Sequence, residues 1–163
     1  MRLSKNFVLS EMTRSNTARR KGISNEPEKE HLANLQTLVT EIIQPMRDAI
    51  GPIRVTSGYR SPKLNRAIGG SSKSQHCKGM AADFEIFSIP NNEVSDWIKE
   101  NLMFDQLILE YYQPGEPNSG WIHCSYNPEV NANRKEYLMA IKDENGKTQY
   151  KPILGLSTDR YVK

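Results

Sequence analysis

Residues 74–86 read Ser74-Gln75-His76-Cys77-Lys78-Gly79-Met80-Ala81-Ala82-Asp83-Phe84-Glu85-Ile86. This stretch decides the fold, because a polar glycine- and serine-rich loop (57–78) ends here and an apolar strand begins. A loop that long inside a compact domain is usually functional. Asp83 sits within the apolar run, where a carboxylate is costly unless it is paired or binds a metal. The same oddity recurs at Trp121-Ile122-His123-Cys124-Ser125, an imidazole inside a strand-like segment. Taken singly, His76, Asp83 and His123 each read as a hydrogen-bonded core residue. Together, two imidazoles and one carboxylate are the protein ligands of a catalytic zinc site whose fourth position is left for water. A structural site would close its shell with four protein ligands, commonly cysteines.

Outward from this stretch, the N-terminal side is helical. Leu32, Leu35, Leu38, Val39, Ile42, Met46 and Ala49 step by threes and fours, which predicts an amphipathic helix over 26–50. Ser24 or Asn25 offers an N-cap, Pro45 should kink or interrupt the helix, and Gly51-Pro52 ends it. Residues 1–25 read as an irregular arm in which Phe7, Val8, Leu9 and Met12 can dock as one apolar patch. On the C-terminal side, strands are expected at 53–56, 80–86, 105–112, 120–126 and 136–142, and a helix at 91–102. Asn145-Gly146 marks a hairpin into a last strand at 148–151. The expectation is an α+β fold: N-terminal helices packed on a small antiparallel sheet that carries a mononuclear zinc site, in a single domain spanning 1–163.

Composition narrows the function classes. At 37% hydrophobic and 25% charged, the chain is ordinary for a globular protein and long enough to bury a core without disulfides. No run approaches the ~20 apolar residues of a membrane span, and no apolar leader follows Met1, so synthesis in a cytoplasm without a signal peptide is expected. Net charge is +3, and the densest basic cluster, Arg14, Arg19, Arg20 and Lys21, lacks the aromatic residues on which bases stack. A nucleic-acid partner is therefore not expected. Cys77 and Cys124 have no zinc-ribbon spacing and read as small buried side chains, Cys124 facing away from His123. His31, beside Glu28 and Glu30, reads as a solvated surface histidine.

Three blocks in order, Ser57-Gly58-Tyr59-Arg60-Ser61-Pro62, Ser74-x-His76 with Asp83, and Trp121-Ile122-His123-x-Ser125, resemble the D-Ala-D-Ala carboxypeptidase family of zinc peptidases. That family includes the vancomycin-resistance dipeptidases and phage L-alanyl-D-glutamate endopeptidases, with the hedgehog signalling domain as a fold relative. The blocks span 53–126, and the N-terminal helix is similar to that of the phage-type members. The resemblance implies one Zn²⁺ per chain on His76, Asp83 and His123, with Arg60 stabilising the oxyanion and Ser74 binding a substrate carboxylate. Tyr59, Lys63 and Asn65 are candidates to line the substrate groove, Tyr59 equally a packing residue. In the dipeptidases a glutamate base lies three residues before the last histidine, where this chain has Gly120. The hedgehog-like pattern places a glutamate at the end of the preceding strand, which Glu110 matches; Glu116 and Glu85 are the competitors. Some members carry a second histidine where this chain has Trp121, which puts more weight on Arg60. The implied activity is hydrolysis of an amide in peptidoglycan stem peptides, of D,D-carboxypeptidase or L-Ala-D-Glu endopeptidase type. The implied setting is a phage lysin released onto the wall, or a virion-associated hydrolase with virion proteins as partners, acting as a monomer. The alternative is a non-catalytic, zinc-stabilised binding or structural virion module of the same fold.

Overall fold

The computed structural model describes residues 1–154; the end of the 1–163 span lies outside the described residues. Two short helices, α1 (Leu9–Thr13) and α2 (Asn16–Lys21), occupy the segment expected to be an irregular arm. Their helicity comes from packing, since pieces this short are unstable alone. Met12 and Phe7 are buried in the core, and the side chain of Gln44 accepts from Ser4 Oγ (2.6 Å) and Asn6 N (3.0 Å), tying the segment down.

The long helical rod starts at Lys29, later than the Ser24/Asn25 cap would place it. Asn25 is used elsewhere: its side chain donates to the carbonyls of Thr13 and Tyr59 and accepts from Ser61 N (2.7 Å), pinning the N-terminal helices to the loop after β1. The rod comprises α3 (Lys29–Leu38), a π-helical turn (Val39–Ile43) and α4 (Gln44–Ile50). The π turn is how Pro45 is accommodated. Pro45 cannot donate to the carbonyl four residues back, and its ring needs space there. One residue is looped out, Gln44 N reaches Val39 O, and the rod continues. Leu35, Leu38, Val39, Ile42, Ile43 and Met46 are all fully buried along it.

The sheet holds β1 (Arg54–Ser57), β2 (Ala81–Glu85), β3 (Gln106–Glu110), β4 (Trp121–Ser125), β5 (Glu136–Lys142) and β6 (Thr148–Pro152), in the order β1-β2-β4-β3-β5-β6. All pairs are antiparallel except β3 and β5, which run parallel, a departure from the antiparallel expectation. The chain leaves β4 and crosses to the far edge of β3, so β5 enters in the direction of β3. Two further helices complete the fold: α5 (Pro62–Ala67), within the long loop, and α6 (Asn91–Asn101). Ser61 caps α5 by accepting from Leu64 N, with Pro62 as its first residue, a cap-and-proline start.

Period-2 alternation divides the sheet into two unlike faces. Ala82, Phe84, Leu107, Leu109, Ile122 and Cys124 point to the helical rod and α6 in one continuous core. Asp83, Ile108, Glu110 and His123 point the other way. The edge of this arrangement is closed at Gly58, where an added Cβ would lie 2.3 Å from the Met12 carbonyl oxygen. Gly58→Ala should therefore lower stability by about 1–3 kcal/mol. At roughly 2–4 °C per kcal/mol for a chain of this length, thermal unfolding monitored by circular dichroism should show a drop of several degrees. An unchanged melting temperature would mean that α1 does not seal this edge.

Candidate active site

Asp83 on β2 and His123 on β4 are direct cross-strand partners, so both project from the face opposite the core. His123 Nδ1 lies 3.0 Å from Asp83 Oδ1. His76 comes from a 3₁₀ turn (Gln75–Lys78) that the loop folds over this face, and its Nε2 lies 3.4 Å from the same oxygen. The sequence groups His76 with the other two as candidate ligands but does not show how the loop carries it to this face; the backbone does so by a set of short contacts. Ser74 Oγ accepts from His76 N, starting the turn (3.3 Å), and Arg60 N donates to His76 O (3.1 Å). The ring is then set by its own hydrogen bond: His76 Nδ1 donates to the Gly58 carbonyl at 2.7 Å.

That bond orients the ring so that its Nε2 edge faces Asp83. Potential donor atoms of the three side chains lie within 4.8 Å of one another. His76 is almost wholly buried and Asp83 largely so. Burial alone would raise the Asp83 carboxyl, but hydrogen bonds from His123 and His76, and their charge, hold it well below the ordinary carboxylate range. A permanently ionised carboxylate between two oriented imidazoles is a nitrogen–nitrogen–oxygen donor set that fits a single Zn²⁺ and leaves a position free.

The three residues lie in an open groove of about 940 Å³. Glu110 lines it from the end of β3, on the same face as Ile108, the direct partner of His123. Among the described residues it is the one glutamate that does so. Burial, opposed by His123 and reinforced by Asp83, pushes the Glu110 carboxyl up to about 7. Glu116 is exposed in the β3–β4 loop, and Glu85 sits beside Arg54 at 4.0 Å, outside the groove. The position three before His123 is closed to a base for a backbone reason. Gly120 has φ +65°, and a Cβ there would fall 1.8 Å from the Glu110 carbonyl oxygen.

Arg60 and Ser74 both line the groove, and the Arg60 Nε is buried without a hydrogen-bond partner. Tyr59 does not line it. Its ring is 3% exposed, 5.8 Å from the ring of His31, and its N–H donates to Met12 O, which is a packing role. His31 is correspondingly half-buried, not solvated. Lys63 is exposed outside the groove, and Asn65 is buried, its side chain donating to Ser71 O. Cys124 is buried in the core and Cys77 half-buried, both as free thiols.

Sequence reasoning missed the Asp105 cluster. Buried Asp105 accepts a two-pronged bond from Arg134 (2.9 and 3.0 Å) and a further bond from Gln75 (2.8 Å), anchoring the turn that carries His76 to the start of β3. The only hint in the sequence was a carboxylate immediately before an apolar strand. At the other end of the groove Trp121 packs against Tyr111, with ring centres 5.4 Å apart.

Comparison with known proteins agrees with this geometry. Over 81 residues the chain is 38% identical to the zinc D-Ala-D-Ala carboxypeptidase of Streptomyces albus G. That match covers 48% of this chain and 30% of the relative, so the chain aligns with under a third of that protein's length. Among the described residues, no helix is long and apolar enough to cross a membrane. The family model for Peptidase M15 matches residues 5–125, which takes in α1, the Gly58 carbonyl and every groove residue from Arg60 to His123, and the chain belongs to that family.

Proposed function

We propose that this protein is a zinc-dependent peptidase that hydrolyses an amide bond in peptidoglycan stem peptides. The observation that carries the reading is the placement of Glu110, a half-buried carboxylate on the same sheet face as the His76–Asp83–His123 cluster and in the same groove. A non-catalytic metal module has no need of such a group. The family and the relative's printed activity support the choice of substrate. A lysin or virion-associated wall hydrolase is the setting we propose, resting on the resemblance of the N-terminal helical pattern in the sequence to phage-type members.

Held by His76, Asp83 and His123, a zinc ion would supply a Lewis acid able to bring the pKa of water toward ~7. Glu110 takes the proton of the attacking water and passes it to the leaving amine. Arg60, with an Nε that no protein group satisfies, pairs with the negative charge that grows on the carbonyl oxygen. Ser74 lies at the wall of the groove, where its hydroxyl reaches a substrate carboxylate while it caps the His76 turn.

Three outcomes are expected. Glu110→Gln should retain one zinc per chain by elemental analysis yet lose at least about 10²-fold in turnover, whereas His123→Ala should lose both metal and activity. Near-normal hydrolysis of purified peptidoglycan by Glu110→Gln would remove Glu110 as the base. Arg60→Ala should keep its zinc and lose about 10²–10³ in kcat; a change confined to KM would assign Arg60 to binding alone.

The third outcome concerns metal-free stability. Glu110 has a folded pKa near 7, above its ordinary value of 4.5, so the folded state binds the extra proton between those values. Its stabilising contribution is complete below about pH 4.5 and is lost as pH rises through about 7. Thermal unfolding of the metal-free protein at pH 5 and pH 8 should show this loss, and Glu110→Gln should reduce it. An identical pH dependence in the two proteins would contradict the assigned environment.

A further inference from the structure

A second cavity, of about 480 Å³, adjoins the catalytic groove, and Arg60 and Ile68 line both. Its walls come from the start of α2, from β1 and from α5. Three guanidinium groups, those of Arg14, Arg54 and Arg60, line it together with polar groups such as Thr56 and Ser57, and no aspartate or glutamate does. The chain as a whole carries only +3, so three cations without a carboxylate in one cavity are a local concentration and not a reflection of composition. Arg54 has one acidic neighbour, Glu85 at 4.0 Å, but its side chain is 63% exposed, where such a pair is weak. The basic run seen in the sequence is divided by the fold. Arg19 and Arg20 turn back to Asn16 and Thr17, while Arg14 faces the cavity.

The two cavities also share a sheet face. Arg54 is the cross-strand partner of Glu85, and Glu85 lies on the same side of β2 as Asp83. A chain lying over the metal centre can therefore continue past Arg60 into the arginine-lined cavity without crossing the sheet. Guanidinium forks match the two oxygens of a carboxylate, which a lysine-lined surface would not do with the same geometry. We propose that the cavity beyond Arg60, with Arg14 and Arg54 as its cations, is an oxyanion subsite holding a carboxylate of the same peptide whose amide lies at the metal centre, while Arg60 at the junction faces the reacting carbonyl. This rests on the peptidase reading and deepens it, because it makes acidic stem peptides the preferred substrates. Continuity with the groove through Arg60 favours a carboxylate on the peptide over a phosphate on a separate wall polymer.

The test uses two synthetic stem peptides with an internal glutamate linked through its γ-carboxyl, differing only in whether its α-carboxyl is free or amidated. They are compared on the zinc-loaded protein and on the double variant Arg14→Gln/Arg54→Gln. Both arginines are exposed, so the variant should unfold at the wild-type temperature. Wild type should prefer the free carboxylate by about tenfold in kcat/KM, expressed in KM, as expected for one charge-assisted hydrogen bond at a partly exposed site. The variant should bring that ratio close to one, and added salt should narrow it in wild type. Equal discrimination in the two proteins overturns the subsite. If neither peptide is cleaved, the peptidase reading fails separately. Titration calorimetry of the same peptides on the zinc-loaded proteins then reads the ratio as Kd and decides the subsite by the same criterion. A glycerol-phosphate oligomer that binds wild type more tightly than the variant, with no discrimination between the peptides, would overturn the carboxylate in favour of a phosphodiester.

Discussion

The hydrogen bond from His76 Nδ1 to the Gly58 carbonyl is the contact on which the rest of the site depends. Asp83 and His123 are held by the sheet and would stay together under almost any loop conformation. His76 comes from a loop and has no such support. Its ring is aimed by a backbone oxygen 18 residues away in sequence, and that oxygen is placed by Met12, whose carbonyl accepts from Tyr59 N (2.7 Å). The absence of a side chain at residue 58 lets the two backbones come this close. Asn25 then ties Thr13, Tyr59 and Ser61 together. The N-terminal helices thus act on the metal centre without touching it, which gives a structural reason for the family match to begin at residue 5 and not at β1.

The sheet resolves a conflict between core and chemistry by assigning each to one face. Period-2 alternation sends Ala82, Phe84, Ile122 and Cys124 into the helical core and Asp83 and His123 into the groove, with no residue serving both. A one-residue slip between β2 and β4 would exchange core and groove side chains on the slipped strand and place a polar group under the helices. Register is therefore enforced by burial on one side, and the metal-binding geometry inherits that precision. The same rule explains why His123 can be followed directly by Cys124 without that thiol becoming a ligand: Cys124 points into the core.

Much of this was legible in the sequence wherever a polar residue interrupted an apolar period. Asp83 and His123 stood out for that reason, and the strands at β2 to β6 and helix α6 follow the expected segments to within a residue or two. What was not legible depends on contacts distant in sequence. The parallel pairing of β3 with β5 follows from where the chain crosses after β4, which local pattern does not encode. Helices α1 and α2 are too short to show a period and exist because their apolar residues dock. Asn25 had a plausible local role as a cap and was used instead as a tertiary bracket. Asp105 finds Arg134 across 29 residues, a pairing with no local trace. His31 and Tyr59 looked unrelated in the sequence, and their rings pack 5.8 Å apart, a contact with no local trace.

The location of the proposed base follows from hairpin geometry. In the dipeptidase pattern the glutamate would stand at residue 120, but here the loop returns to β4 directly over the end of β3. That return requires φ +65° at residue 120 and leaves no space for a Cβ against Glu110 O. Tyr111 is likewise held at φ +55°, unusual for an aromatic residue and unfavourable by about 1–2 kcal/mol. The strain is offset locally: Tyr111 N donates to Ala140 O (2.9 Å), its hydroxyl bonds Thr148 Oγ1 (2.6 Å) and Lys142 stands over its ring. Strain held by three separate contacts marks a backbone whose shape is constrained. What that shape achieves is to end β3 at Glu110 on the metal face, in the groove that Ile108 and Trp121 also line, where burial lifts its pKa to about 7. Gly120 and the left-handed Tyr111 are the backbone requirements of this loop, and they leave the end of β3, not the residue before β4, as the place from which a carboxylate can face the groove.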